Sequence, residues 1–239
     1  MKNVIIVGSC GLIGKALAKG LAKNFNIIEI DILNKKKNYY YQCDILNEKN
    51  VINTISKIIK DYKKIDCIIN AAYPRKKNFS NTFDKLTLED FRENLSINVG
   101  SLFCLIKNIY PHFKKIKKGN IINIASIYGS IQPKFEIYEK TSINPPSVYG
   151  SIKASQIILM NYFAKVFAYR KNNIRCNTIS PGGVYGGQSK NFLNNYKKYC
   201  KDKGMIEPRD LVGVANFLIS DSSLFITGQD IKVDDGFSL

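Results

Sequence analysis

The chain has 239 residues, is 45% hydrophobic and carries 36 Lys and Arg against 19 Asp and Glu, a formal net charge of +17; that is enough apolar content to bury a substantial core. The excess is Lys rather than Arg, 31 against 5, and its clusters (Lys35 to Lys37, Lys114 to Lys118, Lys197 to Lys203) are dispersed, so a solvated surface is expected, with weak salt-dependent DNA binding and no specific nucleic-acid partner. Six widely spaced cysteines without a CxxC pair, and the single imidazole of His112, imply neither a disulfide framework nor a zinc site, and no metal is expected.

The first residues run straight into an apolar strand, Val4 to Val7, without a signal-peptide core, and no stretch reaches roughly 18 apolar residues. A cytoplasmic protein with no membrane partner is expected. Gly8, Gly11 and Gly14 follow, and then Lys15 to Ala22 at helical spacing. Strand, glycine turn and helix form the phosphate-binding start of a βαβ unit, because glycine permits close backbone approach and the helix N-terminus presents free N–H groups. Phe25 to Asp31 reads as the second strand, ending in an acid placed to accept hydrogen bonds from the adenosine ribose and to repel a 2′-phosphate. NAD(H) is therefore preferred, with NADP(H) left possible by Lys35, Lys36 and Lys37 just beyond. A third strand, Tyr39 to Cys43, ends at Asp44, a helix spans about Glu48 to Tyr62, and a fourth strand, Asp66 to Asn70, continues into Ala71, Ala72 and Tyr73.

Thr87-Leu-Glu-Asp90 can cap a long helix that carries Asn98 and ends near Pro111 or the Lys-rich segment after it. Gly119 to Ser126 is a buried strand closing on Ser126, at the edge where ligands bind in open α/β sheets. An irregular stretch, 127–146, leads to a helix from about Ser147 to Arg170 that holds Tyr149 and Lys153. One helical turn sets that phenol beside that ammonium, and a cation within about 4–6 Å draws a phenol's pKa down from about 10 toward working range. Spacing alone does not single the pair out, since Tyr73/Lys77, Tyr110/Lys114 and Tyr199/Lys203 share it. Strands alternating with helices predict an α/β fold, one three-layer doubly wound domain over residues 1–239 with a mostly parallel sheet.

In order and spacing these motifs resemble the short-chain dehydrogenase/reductase family over nearly the whole chain. Gly8, Gly11 and Gly14 look like its nucleotide loop, Asp44 its adenine-contacting acid, and Asn70-Ala-Ala its post-strand motif. Ser180-Pro-Gly-Gly183 resembles its nicotinamide-side loop, and Thr227 to Gly236 its C-terminal strand and oligomer-contact segment. Asn98, Ser126, Tyr149 and Lys153 fall where its catalytic tetrad falls. The resemblance implies a Rossmann fold with a seven-stranded sheet, and hydride transfer between a nicotinamide and a secondary alcohol or ketone. Tyr149 would be the general acid/base, Lys153 would lower its pKa and hold the nicotinamide ribose, Ser126 would hydrogen-bond the substrate oxygen, and Asn98 would position a water linking Lys153 to solvent. The implied cofactor contacts are Gly8, Cys10, Gly11, Leu12, Ile13, Asp31, Asp44, Ile45, Asn70, Ala71, Ala72, Tyr149, Lys153, Pro181, Gly182 and Val184. The implied assembly is a homodimer or homotetramer.

The chain departs from the family at Val7, at Tyr73 in place of a usual glycine, and in the Gly-x-x-Gly-x-x-Gly spacing. Ser126 and Tyr149 are 23 positions apart, nearly twice the usual separation. The extra length makes 127–146 an extended active-site loop, facing a second substrate-side loop or lid at 183–207, and loops there carry specificity. Ala72-Tyr-Pro-Arg75, Pro133 to Tyr138 and the motifs around Asn98, Ser126 and Ser180 are similar to bacterial oxidoreductases encoded with flagellin-modification and nonulosonic-acid sugar genes. This implies a small-molecule substrate, a phosphosugar or nucleotide sugar of a legionaminic-type surface or flagellar glycan, with Arg75, Lys76, Lys77 and Lys134 as candidate phosphate contacts. A 3-oxoacyl thioester or polyol reductase would share every catalytic residue. A nucleotide-binding regulator or scaffold without turnover is the alternative of a different class.

Overall fold

All seven strands join one sheet. In the computed structural model, which describes residues 1–239, they are β1 (Asn3–Val7), β2 (Asn26–Asp31), β3 (Tyr40–Gln42), β4 (Cys67–Asn70), β5 (Gly119–Ile124), β6 (Ile174–Pro181) and β7 (Asp230–Val233). Their order is β3-β2-β1-β4-β5-β6-β7 and every neighbouring pair is parallel. The helices are α1 (Leu12–Leu21), α2 (Glu48–Tyr62), α3 (Leu88–Ile116), α4 (Tyr149–Tyr169), α5 (Lys190–Lys197) and α6 (Leu211–Ile219). None is long and apolar enough to cross a membrane.

Successive strand side chains point to opposite faces, so a sheet covered on both sides needs unbroken apolar strands. β1 shows this directly. Ile5 and Val7 join a core with Leu102, Ile106 and Phe113 of α3 and Met160 of α4, while Val4 and Ile6 join another with Leu17 and Leu21 of α1 and Leu211 and Leu218 of α6. The result is a three-layer doubly wound Rossmann fold. Chain direction across the sheet reverses between β1 and β4, and the crevice outside their carboxyl ends is where such sheets bind ligands.

Two details differ from the sequence reading, and a third chooses between its alternatives. The third strand is only Tyr40–Gln42. The fifth stops at Ile124, and Ser126 begins a short 3-10 turn, Ile127–Gly129. The long helix runs through Pro111 and ends at Ile116, in the Lys-rich segment that was the second of its two expected ends. Proline removes one helical hydrogen bond, but Ile109, His112 and Phe113 around it are buried, and His112 Nε2 accepts from Ile65 N at 3.0 Å. Tertiary packing outweighs the local penalty. The start of α3 follows the sequence, with Asp90 N donating to Thr87 Oγ1 (3.1 Å) and Thr87 N donating to Asp90 Oδ2 (3.2 Å).

Candidate active site

The glycine turn is built for close approach. Gly8 has φ +78°, and a Cβ there would stand 2.6 Å from the Ala72 backbone, so the turn and the Asn70-Ala-Ala segment lie against each other. A Cβ at Gly14 would sit 2.1 Å from Gly8 O, whereas one at Gly11 would meet that oxygen at 3.3 Å. Helix α1 has no side-chain cap and no acid in its first turn. Its backbone bonding starts with Lys15 N on Gly11 O, which leaves the N–H groups of Leu12 and Ile13 facing outward for an anion. An uncapped N-terminus beside glycines that tolerate no side chain fits a dinucleotide pyrophosphate.

Asp31 stands at the end of β2, beside the glycine turn. Its Oδ2 accepts from Cys10 N (2.8 Å) and its Oδ1 from Leu33 N (3.2 Å), which fixes the carboxylate while leaving lone pairs for hydroxyl donors. Asp44 Oδ1 accepts from Leu46 N at 2.9 Å, and Ile45 packs partly buried against the core. Asn70 Nδ2 donates to Asn123 Oδ1 (2.8 Å) and its Oδ1 accepts from Ala72 N (3.3 Å), which shapes the turn beyond β4. At the other end of the crevice β6 closes on Pro181, Gly182 N donates to Val233 O (2.9 Å), and Val184 bridges to Ile206.

Ser126, Tyr149, Lys153 and Asn98 converge between these two ends. Ser126, 6% exposed, sits just beyond β5, where its Oγ accepts from Tyr128 N at 3.2 Å. Tyr149 opens α4, its ring edge-on to Tyr73 (5.6 Å, 75°), Phe79 (6.4 Å, 85°) and Tyr128 (6.3 Å, 87°). Burial raises its phenol pKa, and the Ser126 hydroxyl pulls it partly back. One turn on, Lys153 is 4% exposed and donates to Ile124 O (3.2 Å) and Gln156 Oε1 (3.3 Å). Its Nζ lies 4.6 Å from the Tyr73 ring centre and 5.7 Å from that of Tyr149. Burial pushes the ammonium down from 10.5 to about 7. Asn98 is also buried, its Nδ2 donating to Pro74 O (3.0 Å) and Asn94 O (2.9 Å).

The arrangement separates this Tyr/Lys pair from the other three. Tyr110, for instance, is held by Arg170 and Asn172 on the surface. Phe79 and Gln156, both buried, complete the surroundings of the pair and were missed in the sequence. For Gln156 a signal existed: it stands one turn beyond Lys153, so it shares that face of α4. Of the candidate phosphate contacts, Lys76 pairs with Glu93 (3.7 Å), Arg75 stacks over Tyr73 (5.9 Å) and Lys134 over Tyr199 (4.7 Å).

The 127–146 loop is docked. Ile127 and Ile137 share a small core with Phe192 and Tyr196 of α5, Met205 and Phe237. Asn195 Nδ2 donates to Glu139 O (3.3 Å), and Tyr138 donates to the Tyr128 hydroxyl (3.2 Å). The loop also walls an open cleft of about 700 Å³, lined among others by Tyr128, Pro133, Phe135, Pro146 and Gly150.

A doubly wound sheet with a close-packed glycine turn at its switch point, and Tyr149 and Lys153 beside Ser126, is the architecture of a nucleotide-dependent oxidoreductase of the Rossmann class. The comparisons with known proteins narrow the class. A family model described as enoyl-(acyl carrier protein) reductase matches residues 21–238. Post-translational flagellin modification protein A of Campylobacter coli is 34% identical, over 100% of this chain and 98% of that protein. A 7alpha-hydroxysteroid dehydrogenase of Bacteroides fragilis is 26% identical over 100% and 95%. A short chain dehydrogenase of Leptospira borgpetersenii, crystallised with NAD+, superposes with a TM-score of 0.87 at 33% identity, covering 100% of this chain and 93% of that one. The chain belongs to the short-chain dehydrogenase/reductase family and is an oxidoreductase that uses a nicotinamide cofactor.

Proposed function

We propose that the protein interconverts a secondary alcohol and a ketone on a phosphosugar or nucleotide sugar destined for a surface or flagellar glycan, with NAD(H) as cofactor. The half-buried Tyr149 and buried Lys153 beside Ser126 at the carboxyl edge of the sheet carry the reading of the reaction. Bound in the crevice, the nicotinamide would supply the hydride chemistry. The pyrophosphate would lie on the Gly8–Gly14 turn and the N–H groups of Leu12 and Ile13, the adenosine ribose on Asp31, the adenine near Asp44 and Ile45, and the nicotinamide end between Asn70–Ala72 and Pro181, Gly182 and Val184. Tyr149, kept protonated by burial, gives its proton to the substrate oxygen in reduction and takes it back in oxidation. Ser126 donates to the same oxygen as charge develops on it. Lys153 stabilises the ionised phenol and holds the nicotinamide ribose.

The sugar reading rests on full-length similarity to the Campylobacter coli flagellin modification protein, together with the enlarged loop 127–146 as the specificity segment and 183–207 as its lid. NAD over NADP is supported by Asp31 and by the NAD+ in the Leptospira relative. A cytoplasmic site of action fits six unpaired cysteines. A homodimer or homotetramer is supported by exposed apolar side chains on the adjacent helices α3 and α4, Phe103, Ile158 and Tyr162 being 47%, 67% and 61% exposed, and sedimentation velocity tests it.

The deciding experiment follows reduced nicotinamide absorbance with NAD(H) and NADP(H) against phosphosugars, nucleotide sugars, a 3-oxoacyl thioester and a polyol, for the native protein and Tyr149→Phe. Turnover of a phosphorylated or nucleotide-linked sugar, lost in Tyr149→Phe with NADH binding retained, is expected. Preference for the thioester or polyol refutes the sugar reading, and turnover surviving in Tyr149→Phe refutes the assigned acid.

A further inference from the structure

Gln156 is 1% exposed and, with Lys153, is one of two polar side chains buried in a stretch of α4 whose remaining buried residues, Ile152, Ile157 and Met160, are apolar. A buried amide costs about 1–3 kcal/mol unless both its ends are paired. Here both are. Its Oε1 accepts from Lys153 Nζ at 3.3 Å, and its Nε2 donates to the backbone carbonyl of Asn98, also at 3.3 Å. That carbonyl, inside α3, further accepts from Ser101 Oγ at 3.2 Å. The Asn98 carbonyl thus reaches Lys153 through the side chain of Gln156.

An ammonium has three N–H donors. Ile124 O of β5 takes one and Gln156 Oε1 another. The third is left for the side where the rings of Tyr73 and Tyr149 lie. The groups facing Lys153 are therefore two carbonyl oxygens, from β5 and the Gln156 amide, and two titratable phenols, Tyr149 on α4 and Tyr73 beyond β4. No carboxylate faces it to offset burial, which holds its pKa down.

We infer that Gln156 is a positioning residue for Lys153: its amide ties the ammonium to the backbone of α3 and fixes which N–H group remains for the phenol and the cofactor. The inference rests on the proposed role of Lys153 beside Tyr149. An amide also fills the place between Lys153 and Asn98 with a group that holds the ammonium by hydrogen bonding and carries no charge of its own.

The test labels lysine with 13C at Cε and follows Lys153, assigned through Lys153→Met, by NMR across pH 5–10 in the native protein, Gln156→Leu and Gln156→Glu. NADH dissociation constants from nicotinamide fluorescence cover the same range, and circular dichroism melting verifies folding. Losing the acceptor in Gln156→Leu moves the Lys153 midpoint down by about one pH unit, and the carboxylate in Gln156→Glu moves it up by at least as much. The pH profile of NADH affinity shifts in the same two directions. Coincident Lys153 curves overturn the contact, and displaced curves with an unchanged NADH profile overturn the positioning role. Turnover surviving in Tyr149→Phe would refute the proposed function while leaving both of these readouts to decide on Gln156.

Discussion

Lys153 is the side chain on which the chemistry and the stability of this fold pull hardest in opposite directions, and Lys153→Met measures the conflict. The gap between about 7 in the fold and the ordinary 10.5 corresponds to about 4–5 kcal/mol. The unfolded chain binds this proton more tightly, so stability rises with pH between the two values. The penalty is fully present below pH about 7 and absent above about 10.5. Methionine keeps the length and removes the charge, but orphans Ile124 O and Gln156 Oε1 at about 1 kcal/mol each. Lys153→Met should therefore be more stable than the native protein by about 2–3 kcal/mol at pH 6.5, an increase of about 1 M in urea midpoint. By pH 9.5 the advantage shrinks by about 3 kcal/mol and vanishes or reverses, because the native lysine is by then neutral in the fold. Urea unfolding followed by far-UV circular dichroism at both pH values decides it, since titrating groups away from Lys153 cancel between the two proteins and burial keeps the Tyr149 phenol protonated at both. A difference that is the same at both pH values would show that Lys153 keeps an ordinary proton, and would refute the argument from burial.

Gly14→Ala drives a Cβ to 2.1 Å from Gly8 O and should misfold or lose NADH binding, while Gly11→Ala, at 3.3 Å, folds with weakened NADH affinity; fluorescence titration separates them. Ile137, fully buried between the extended loop and α5, should cost about 2–5 kcal/mol of local stability when cut to alanine. Hydrogen exchange in 127–146 and 190–197 should accelerate together, and exchange confined to the loop would refute the shared core. Asp31→Ser removes the carboxylate that meets Cys10 N and leaves Lys35 to Lys37 in place, so the ratio of NADP(H) to NAD(H) turnover should rise at least tenfold; an unchanged ratio would remove Asp31 from cofactor selection.

The fold was legible because a parallel sheet covered on both faces requires strands as uniformly apolar as Val4–Val7 and Gly119–Ile124, and because Gly8–Gly14 and the Thr87–Asp90 capping box depend on neighbours a few residues away. Asn98, Ser126, Tyr149 and Lys153 were singled out by the order of motifs that resembles the family, since spacing alone offered four Tyr/Lys pairs, and the fold brings these four to one crevice. What was hidden depends on contacts between distant elements. Pro111 left the end of the helix open between itself and the Lys-rich segment, and the packing around His112 that decides it comes from a distant strand end. Tyr73 could be marked as a departure, but not as the ring that lies over Lys153 and edge-on to Tyr149. Gln156 looks like an ordinary helical glutamine until α3 and α4 are brought together and Asn98 O meets its amide.

The length of the Ser126-to-Tyr149 segment was the plainest departure in the sequence, and its docking changes how that length acts. A loop free in solvent would set specificity alone. Here Lys134 lies over Tyr199, Tyr138 packs on Phe192 at 5.5 Å, and Tyr196 stacks on Phe237 at 4.4 Å, so the extended loop, α5 and the segment near Phe237 share one set of rings. The same unit reaches the nucleotide end, because the Tyr196 hydroxyl accepts from Gly183 N at 2.6 Å and a Cβ on Gly182 would collide with it at 2.8 Å. It reaches the acid/base pair through Tyr128, whose ring meets both Phe237 (6.4 Å) and Tyr149 (6.3 Å). Under the proposed function, substrate preference would belong to 127–146 and 183–207 jointly, and exchanging either segment for a relative's counterpart would disturb the other before it changed the substrate.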